Sequence, residues 1–223
     1  MLTKTFNRGI FLILAVLLLI IVPFYFPPYQ VCVVTEIIIF ALFAVSYNTL
    51  YGNAGLLSFG HGMFFGFGAY VAALAANHMA GLPIYGVILF SVIATTLVGL
   101  LVGSLLLRHT GSSFALLTLA FNALFWSIAF KWHSLTGGDD GLSITRPELG
   151  FGITRFSMSD INPFYFFTLF VIGAVILFCY YFSTTAMGKT VLLMRENEER
   201  MKFLGYNTNI ARLILFTFTA ALA

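Results

Sequence analysis

Six glycines fall within the 26 residues from Tyr51 to Ala76, in a stretch whose other members are mostly apolar. In a soluble helix each glycine would cost about 1 kcal/mol relative to alanine. In a membrane, small residues instead let helix backbones approach closely. Placed on a helix, one face of this stretch would carry only small side chains: Ser58, Gly62, Gly66, Ala69 and Ala73. The pattern predicts a glycine-rich membrane helix that packs closely against its neighbours.

The first eleven residues of this stretch, 51–61, have a different character. They hold Gly52, Asn53, Gly55, Ser58, Gly60 and His61. Irregular backbone at membrane depth persists only where protein or a water-filled cavity surrounds it. Broken helices of this kind line substrate routes in transporters. Two interpretations stay open: a broken helix that borders a route, or a turn followed by a tightly packed helix.

The composition excludes a soluble protein, since the chain is 60% hydrophobic and only 9% charged, against about 25% charged residues in soluble domains. Long apolar runs predict an all-α, polytopic transmembrane helical bundle in one transmembrane domain, 1–223. The fifth predicted span, 114–130, is short for a membrane core about 30 Å thick, and Ser112 or Ser113 is its expected N-cap. The seventh is truncated, so we expect further spans to be needed. The spans are predicted at 10–26, 31–50, 60–76, 84–107, 114–130, 163–182 and, incompletely, 210–223.

The distribution of basic residues predicts the orientation. Alternating spans place 131–160 in an external, periplasmic loop and 184–209 in a cytoplasmic loop. Three basic residues, Lys131, Arg146 and Arg155, then lie outside, and the other eight of the eleven lie inside. Because cytoplasmic loops are enriched in lysine and arginine, the N-terminus is expected in the cytoplasm.

Candidate route residues come from two segments. The first supplies Ser58, Gly60, His61, Phe64, Phe65 and Gly68, which offer exposed backbone, two polar side chains and two rings. The second is the fifth span, where Thr118 and Asn122 share a face. Such a pair is commonly an interhelical hydrogen bond worth about 0.6 kcal/mol, and the alternative is that it lines a polar route.

The cytoplasmic loop carries a charged segment, 194–200, that is expected to form a short helix. Glu196 and Arg200 are four residues apart with the acid first, the favourable order for an ion pair. Gly205 suits the C′ position that ends a helix. By itself such a segment would most often be a solvated face.

Three motifs together resemble the LivM-type permease subunits of branched-chain amino acid ABC importers. They are GLLSFGHGMFFGFGAY with the later FALLTLAF, the TGGDDGL turn of the external loop, and the MRENEER segment followed by Gly205. The resemblance implies a homologous permease subunit, two cytoplasmic ATPase subunits, a periplasmic or extracellular substrate-binding protein and a lipid membrane, with no nucleic acid. It also implies that Arg195, Glu196, Glu198 and Gly205 belong to the loop that couples the permease to the ATPases.

The same residues also bear on other possible functions. The chain lacks a phosphate-binding G-x-x-x-x-G-K-[ST] motif, so ATP hydrolysis is expected on partner subunits, and neither a metal site nor a cofactor is predicted. An intramembrane hydrolase would rest on a Ser58–His61 contact along a helix, without an acid to orient the histidine. A urea or short-chain amide permease is the alternative substrate class. A passive channel is a weaker alternative, because it would not need the charged cytoplasmic segment.

Overall fold

The computed structural model describes residues 16–79, 81–109, 111–144, 149–151, 154–156 and 160–223. The helices are α1 (Val16–Tyr25), α2 (Pro28–Asn48), α3 (Gly62–His78), α4 (Ile84–Leu106), α5 (Ser112–Lys131), α6 (His133–Thr136), α7 (Ile161–Thr184), α8 (Ala186–Glu196), α9 (Glu198–Phe203) and α10 (Thr208–Leu222). A π-helical turn, Thr49–Asn53, continues α2, and a 3-10 turn, Gly138–Asp140, follows α6. Strands β1 (Leu149–Phe151) and β2 (Thr154–Phe156) form an antiparallel hairpin.

The helical membrane bundle expected from the composition is confirmed. Four helices of the described chain, α2, α4, α5 and α7, are long and apolar enough to cross a membrane, and α1 and α10 are shorter apolar helices. Helix α5 has 20 residues rather than the 17 expected. It begins at Ser112 after Gly111, whose φ is +63°, and no side chain caps it, so the expected serine cap is wrong. Residues 10–15 of the first span, and Lys4, Arg8 and Arg146, lie outside the described residues.

The main core forms where α10 packs against α4. A Cβ placed on Gly99 would lie 2.7 Å from the Cβ of Ala220, and one placed on Gly103 would lie 2.7 Å from a ring carbon of Phe216. Phe216 and Ala220 are fully buried. The two glycines of α4 therefore form the seat into which α10 fits, as small residues do at membrane helix interfaces.

A second core joins α1, α2 and α7. Val22, Val31, Ile38 and Ile172 are buried together there with Tyr165. The Tyr165 hydroxyl donates a 2.6 Å hydrogen bond to the Leu19 carbonyl. That bond ties α7 to α1 across 146 residues of sequence.

The predicted break before the glycine helix is present. After the π-helical turn, Gly55 takes a left-handed φ of +69°, residues 55–58 are non-helical, and α3 begins at Gly62. Ser58 consequently lies outside α3. The small-residue stripe of that helix starts at Gly62 rather than at Ser58.

The charged segment is two helices rather than one. Asn197 is extended, with φ −156° and ψ 99°, and its side chain accepts a 2.9 Å hydrogen bond from the Arg200 amide, capping α9. The expected helical Glu196–Arg200 pair is therefore wrong, because the two residues lie on different helices. Gly205 does end α9 as expected. Its φ is +84°, and the Gly205 and Tyr206 amides donate to the carbonyls of Lys202 and Met201, as in a Schellman motif.

Candidate functional site

A buried hydrogen-bonded junction joins the broken segment to α2 and α10. His61 is 2% exposed, and its Nε2 lies 2.9 Å from Oγ of Ser46. The Ser46 hydroxyl donates a 2.7 Å hydrogen bond to the Thr219 carbonyl. Since a hydroxyl has one proton, Ser46 Oγ must accept from His61, which places the proton of the neutral imidazole on Nε2.

Two buried polar atoms beside this junction have no hydrogen-bond partner in the described part of the chain. They are Nδ1 of His61 and Oγ of Ser58. The serine–histidine contact on which a hydrolase would depend is thus not formed here, since Ser58 precedes α3 and His61 is bonded to Ser46.

The two candidate phenylalanines pack within the bundle. Phe64 is fully buried, with its ring edge-on to both His61 and Phe216. Phe65 stacks on Phe40 of α2, with ring centroids 5.7 Å apart. Both rings therefore fix α3 against its neighbours in this structure.

Gly60, Thr118 and Gly68 mark close backbone contacts. A Cβ on Gly60 would collide with the carbonyl oxygen of Thr118, and the Phe59 amide donates a 3.0 Å hydrogen bond to the Thr118 hydroxyl. The loop before α3 is thereby docked on α5. Gly68 faces α4 instead, where the Ser91 hydroxyl donates a 2.7 Å hydrogen bond to its carbonyl.

An open groove of about 550 Å³ runs between α3 and α5. Gly62 and Gly66 line it and leave it unfilled, and a Cβ on Gly66 would meet nothing within 4 Å. Asn122 is the candidate route residue from α5 that lines it. The rest of the lining is mainly apolar and aromatic: Met63, Phe67, Tyr70, Val71, Leu74, Phe125, Trp126, Ile128, Ala129, Phe130, Trp132 and Leu135.

The end of α6 and the turn that follows it also line the groove, through Thr136, Gly138 and Asp139. The buried Thr136 hydroxyl lies within hydrogen-bonding distance of the carbonyls of Ala129 and Trp132, and it accepts a 3.3 Å hydrogen bond from the Gly138 amide. These bonds fold the turn back onto the end of α5. Asp139, which is exposed, thus lies at the rim of a mostly apolar groove.

The candidates taken from the sequence omitted most of this lining, including Tyr70, Trp126 and Asp139. A signal for it existed on α5, where Asn122, Trp126 and Ala129 follow one another at helical spacing. The position of Asp139 had no such signal, because it depends on how the turn folds back on the helix.

The four coupling candidates differ in their environments. Arg195 is exposed, and its guanidinium donates to the Gly52 carbonyl, which joins α8 to the π-helical turn. Glu196 is exposed at the end of α8. Gly205 supplies the positive φ that ends α9.

Glu198 is engaged within the chain. It pairs with Lys202 at 2.9 Å and with Arg212 of α10, and it accepts a hydrogen bond from the Thr208 hydroxyl. Burial by itself raises the pKa of Glu198, but the hydrogen bonds and positive charges of Lys202 and Arg212 together hold the pKa below its usual value. The carboxylate therefore fastens α9 to the first turns of α10.

Apolar helices that enclose a groove beside a broken, buried segment define a multi-pass helical membrane protein. Residues 30–223 match the family described as "Branched-chain amino acid transport system / permease component", and the chain belongs to that family. A comparison with solved structures found no match.

Similar proteins include the high-affinity branched-chain amino acid transport system permease LivM of Salmonella typhimurium and that of Escherichia coli. Each is 26% identical to this chain over 241 aligned residues, which cover 99% of this chain and 56% of the relative. The permease BraD of Pseudomonas aeruginosa is 25% identical over 197 residues, which cover 82% of this chain and 64% of the relative. The chain thus spans somewhat more than half the length of the LivM relatives.

Proposed function

We propose that this chain is part of the permease subunit of an ABC importer that carries branched-chain amino acids across the bacterial or archaeal cytoplasmic membrane. A homologous permease, two cytoplasmic ATPases and an external binding protein would complete the importer. The groove between α3 and α5 would form part of the route. The observation that carries this proposal is the family match over 30–223, which includes both helices of the groove.

The groove favours an aliphatic substrate over urea or a short amide. Its walls are mainly hydrocarbon and aromatic rings, with a few polar groups such as Asn122 and Asp139. Small-molecule sites typically combine an apolar lining with a few placed polar groups that fix orientation. A branched aliphatic side chain would bury apolar surface here, whereas urea would leave the walls without a partner.

Uptake in a deletion strain tests the substrate. We expect loss of the full-length gene to reduce uptake of labelled leucine, isoleucine and valine, and a plasmid copy to restore it. Urea uptake is measured in the same cells. If uptake of the three amino acids is unchanged and urea uptake falls, the amide importer is the correct assignment.

The ATPases would dock on the end of the bundle that carries α8 and α9. Glu196 is exposed there, and so are two apolar residues at the end of α9, since Phe203 is 91% exposed and Leu204 is 65% exposed. Exposed apolar groups among charges are typical of protein contact sites. Arg195 would transmit the contact to the broken segment through its bond to the Gly52 carbonyl.

Substitution of Phe203 tests this docking without disturbing the fold. We expect Phe203→Ala together with Glu196→Lys to lower substrate-stimulated ATP hydrolysis and uptake at least fivefold, at unchanged protein level. The control is Tyr29→Ala, which removes a ring that is 78% exposed at the start of α2, the end opposite to the π-helical turn that Arg195 contacts. If Phe203→Ala with Glu196→Lys is as active as Tyr29→Ala, α9 is not part of the docking surface. Glu198→Lys and Gly205→Glu are less suited, because both residues also hold α9 in place.

A further inference from the structure

We propose that Asp139 is the recognition point for the ammonium group of an amino acid whose aliphatic side chain lies in the groove between α3 and α5. This inference rests on the proposed function and adds to it a residue, a binding orientation and a location. It also has a direct binding test that does not depend on transport.

The size and lining of the groove suit a small apolar body. Its volume of about 550 Å³ falls within the roughly 300–1,000 Å³ that is usual for small-molecule sites. Gly62 and Gly66 add no side chains to the α3 wall, and Phe67 and Phe125 form a T-shaped ring pair in the lining. A branched side chain can enter without displacing any residue from this space.

The electrostatics select the charge of the ligand. Asp139 is the one charged residue among the described residues that line the groove. A single carboxylate at the rim of a low-dielectric wall attracts cations and disfavours anions. Trp126, Phe130 and Trp132 also line the groove, and their ring faces offer further favourable contacts to an ammonium group.

The turn holds the backbone of Asp139 in a defined place. Gly137 and Gly141 have φ values of +75° and +68°, which other residues rarely adopt. The Thr136 hydroxyl fastens the turn to the end of α5. The side-chain amide of Asn77 donates a 3.0 Å hydrogen bond to the Ser143 carbonyl, which ties the following segment to α3. Both walls of the groove are thus linked to the turn that presents Asp139.

A helix of a partner protein is the alternative occupant, because Gly62 and Gly66 could also seat a helix. An apolar helix would gain nothing from a carboxylate at the end of its seat, and it would reduce the hydration of that charge. Charge complementarity therefore favours a small cationic group with an apolar body over a helix. Asp140 is the matched control, since it is exposed and adjacent but does not line the groove.

The test uses the full-length protein in lipid nanodiscs and the fluorescence of tryptophan. Both tryptophans of this chain, Trp126 and Trp132, line the groove. The probes are leucine, isopentylamine, which keeps the ammonium, and 4-methylpentanoate, which keeps only the carboxylate. We expect leucine and isopentylamine to change the emission, and 4-methylpentanoate to bind at least tenfold more weakly.

Asp139→Asn should raise the Kd for leucine and isopentylamine about tenfold or more, as expected for loss of a charge-assisted contact. Asp140→Asn should change either Kd less than twofold. Equal effects of the two variants, or equal binding of the acid and the amine, would overturn the proposal. A signal that persists in Trp126→Phe with Trp132→Phe would place the ligand elsewhere and overturn it as well.

Thiol labelling separates the ligand from a partner helix. With Cys32 and Cys179 replaced by alanine, Gly66→Cys should react with a water-soluble reagent in the assembled importer, and leucine should slow the reaction. Absence of reaction in the importer, with reaction in the isolated chain, would show that a helix fills the groove. Failure of the proposed function would be seen separately, as unchanged amino acid uptake in the deletion strain.

Discussion

The same spacing of two glycines has opposite outcomes on α3 and α4. Gly99 and Gly103 of α4 are covered by α10, whose Ala220 and Phe216 occupy the space that a side chain would need. Gly62 and Gly66 of α3 border an open groove. A pair of glycines therefore encodes only the absence of side chains. The neighbouring helix decides whether that absence becomes a packing seat or a cavity.

The neighbours differ in shape. Helix α10 presents a small residue, Ala220, to Gly99, so the two backbones can approach. Helix α5 presents Asn122, Phe125 and Trp126 toward α3, and these longer side chains line a space instead of closing it. The distance from a Cβ on Gly62 to Asn122 Oδ1 would be 3.9 Å, an ordinary contact that leaves room for a side chain.

The largest effect on stability is expected at the filled pair of glycines, Gly99 and Gly103, which α10 covers. Gly99→Leu should destabilise the protein by about 3 kcal/mol, at the upper end of the range for overpacking, because Ala220 cannot move without its helix. The measurement is the free energy of unfolding in mixed detergent micelles. The matched variant Gly66→Leu should retain stability and lose uptake. Similar destabilisation by both would mean that the groove is filled.

Loss of the buried junction should have the next largest effect. Ser46→Ala removes the donor to the Thr219 carbonyl and the acceptor for His61. Unpaired buried groups cost about 1–3 kcal/mol, and we expect about 2 kcal/mol in the same unfolding measurement. Ser104→Ala is the control, since its hydroxyl bonds only to the carbonyl of Leu101 on its own helix and is exposed. If the junction does not hold α10 in place, Ser46→Ala and Ser104→Ala should have equal free energies of unfolding.

The ion pair between Glu198 and Arg212 of α10 should contribute less to the free energy of unfolding. Glu198→Gln should cost under about 1 kcal/mol at pH 7, as is usual for partly exposed pairs. Because its folded-state pKa is lowered, the stabilisation is full above the unfolded-state pKa of about 4.3 and is lost as the pH falls through the folded-state value. Unfolding midpoints between pH 7 and pH 3 measure this. The stability advantage of the wild type over Glu198→Gln should vanish at the acid end, and an advantage that persists at pH 3 would contradict the role of this carboxylate.

The smallest effect on stability is expected at the open pair of glycines, Gly62 and Gly66, which border the groove. Gly66→Ala adds one methyl group where nothing lies within 4 Å. Its free energy of unfolding should stay within about 0.5 kcal/mol of the wild type or increase, because alanine favours the helix over glycine. Gly99→Ala, the same substitution at the filled pair, should cost about 2 kcal/mol. Equal values at the two sites would contradict the contrast between seat and groove.

Much of the fold could be predicted from single stretches of sequence. Apolar runs placed the four long helices, and Gly205 ended α9 where the pattern required it. The prediction of a helical Glu196–Arg200 ion pair failed because the backbone between the two residues is extended. The extended Asn197 divides the charged segment, and its side chain caps α9, which outweighs an exposed i,i+4 ion pair worth only about 0.2–0.5 kcal/mol.

The candidate site was predicted in part. The sequence identified His61 as a polar group of the broken segment, and Thr118 and Asn122 because they share a face of the fifth span. The structure separates their environments, with His61 bonded to Ser46, Thr118 bonded to the loop amide of Phe59, and Asn122 beside the open groove. Periodicity identifies the face of a residue on its own helix, but the partner of that face lies elsewhere in the chain.

The sequence by itself determined that this chain is a helical membrane protein, that its backbone breaks before Gly62, and that its motifs resemble one family of permeases. These properties depend on composition, on hydrophobic run length and on glycine conformation, all of which are local. Tertiary structure alone decided that α10 fills the seat on α4, that α3 and α5 leave a groove, and that Asp139 stands at its rim. Those outcomes depend on which surfaces meet, and in this chain Ser46 meets Thr219 across 173 residues of sequence.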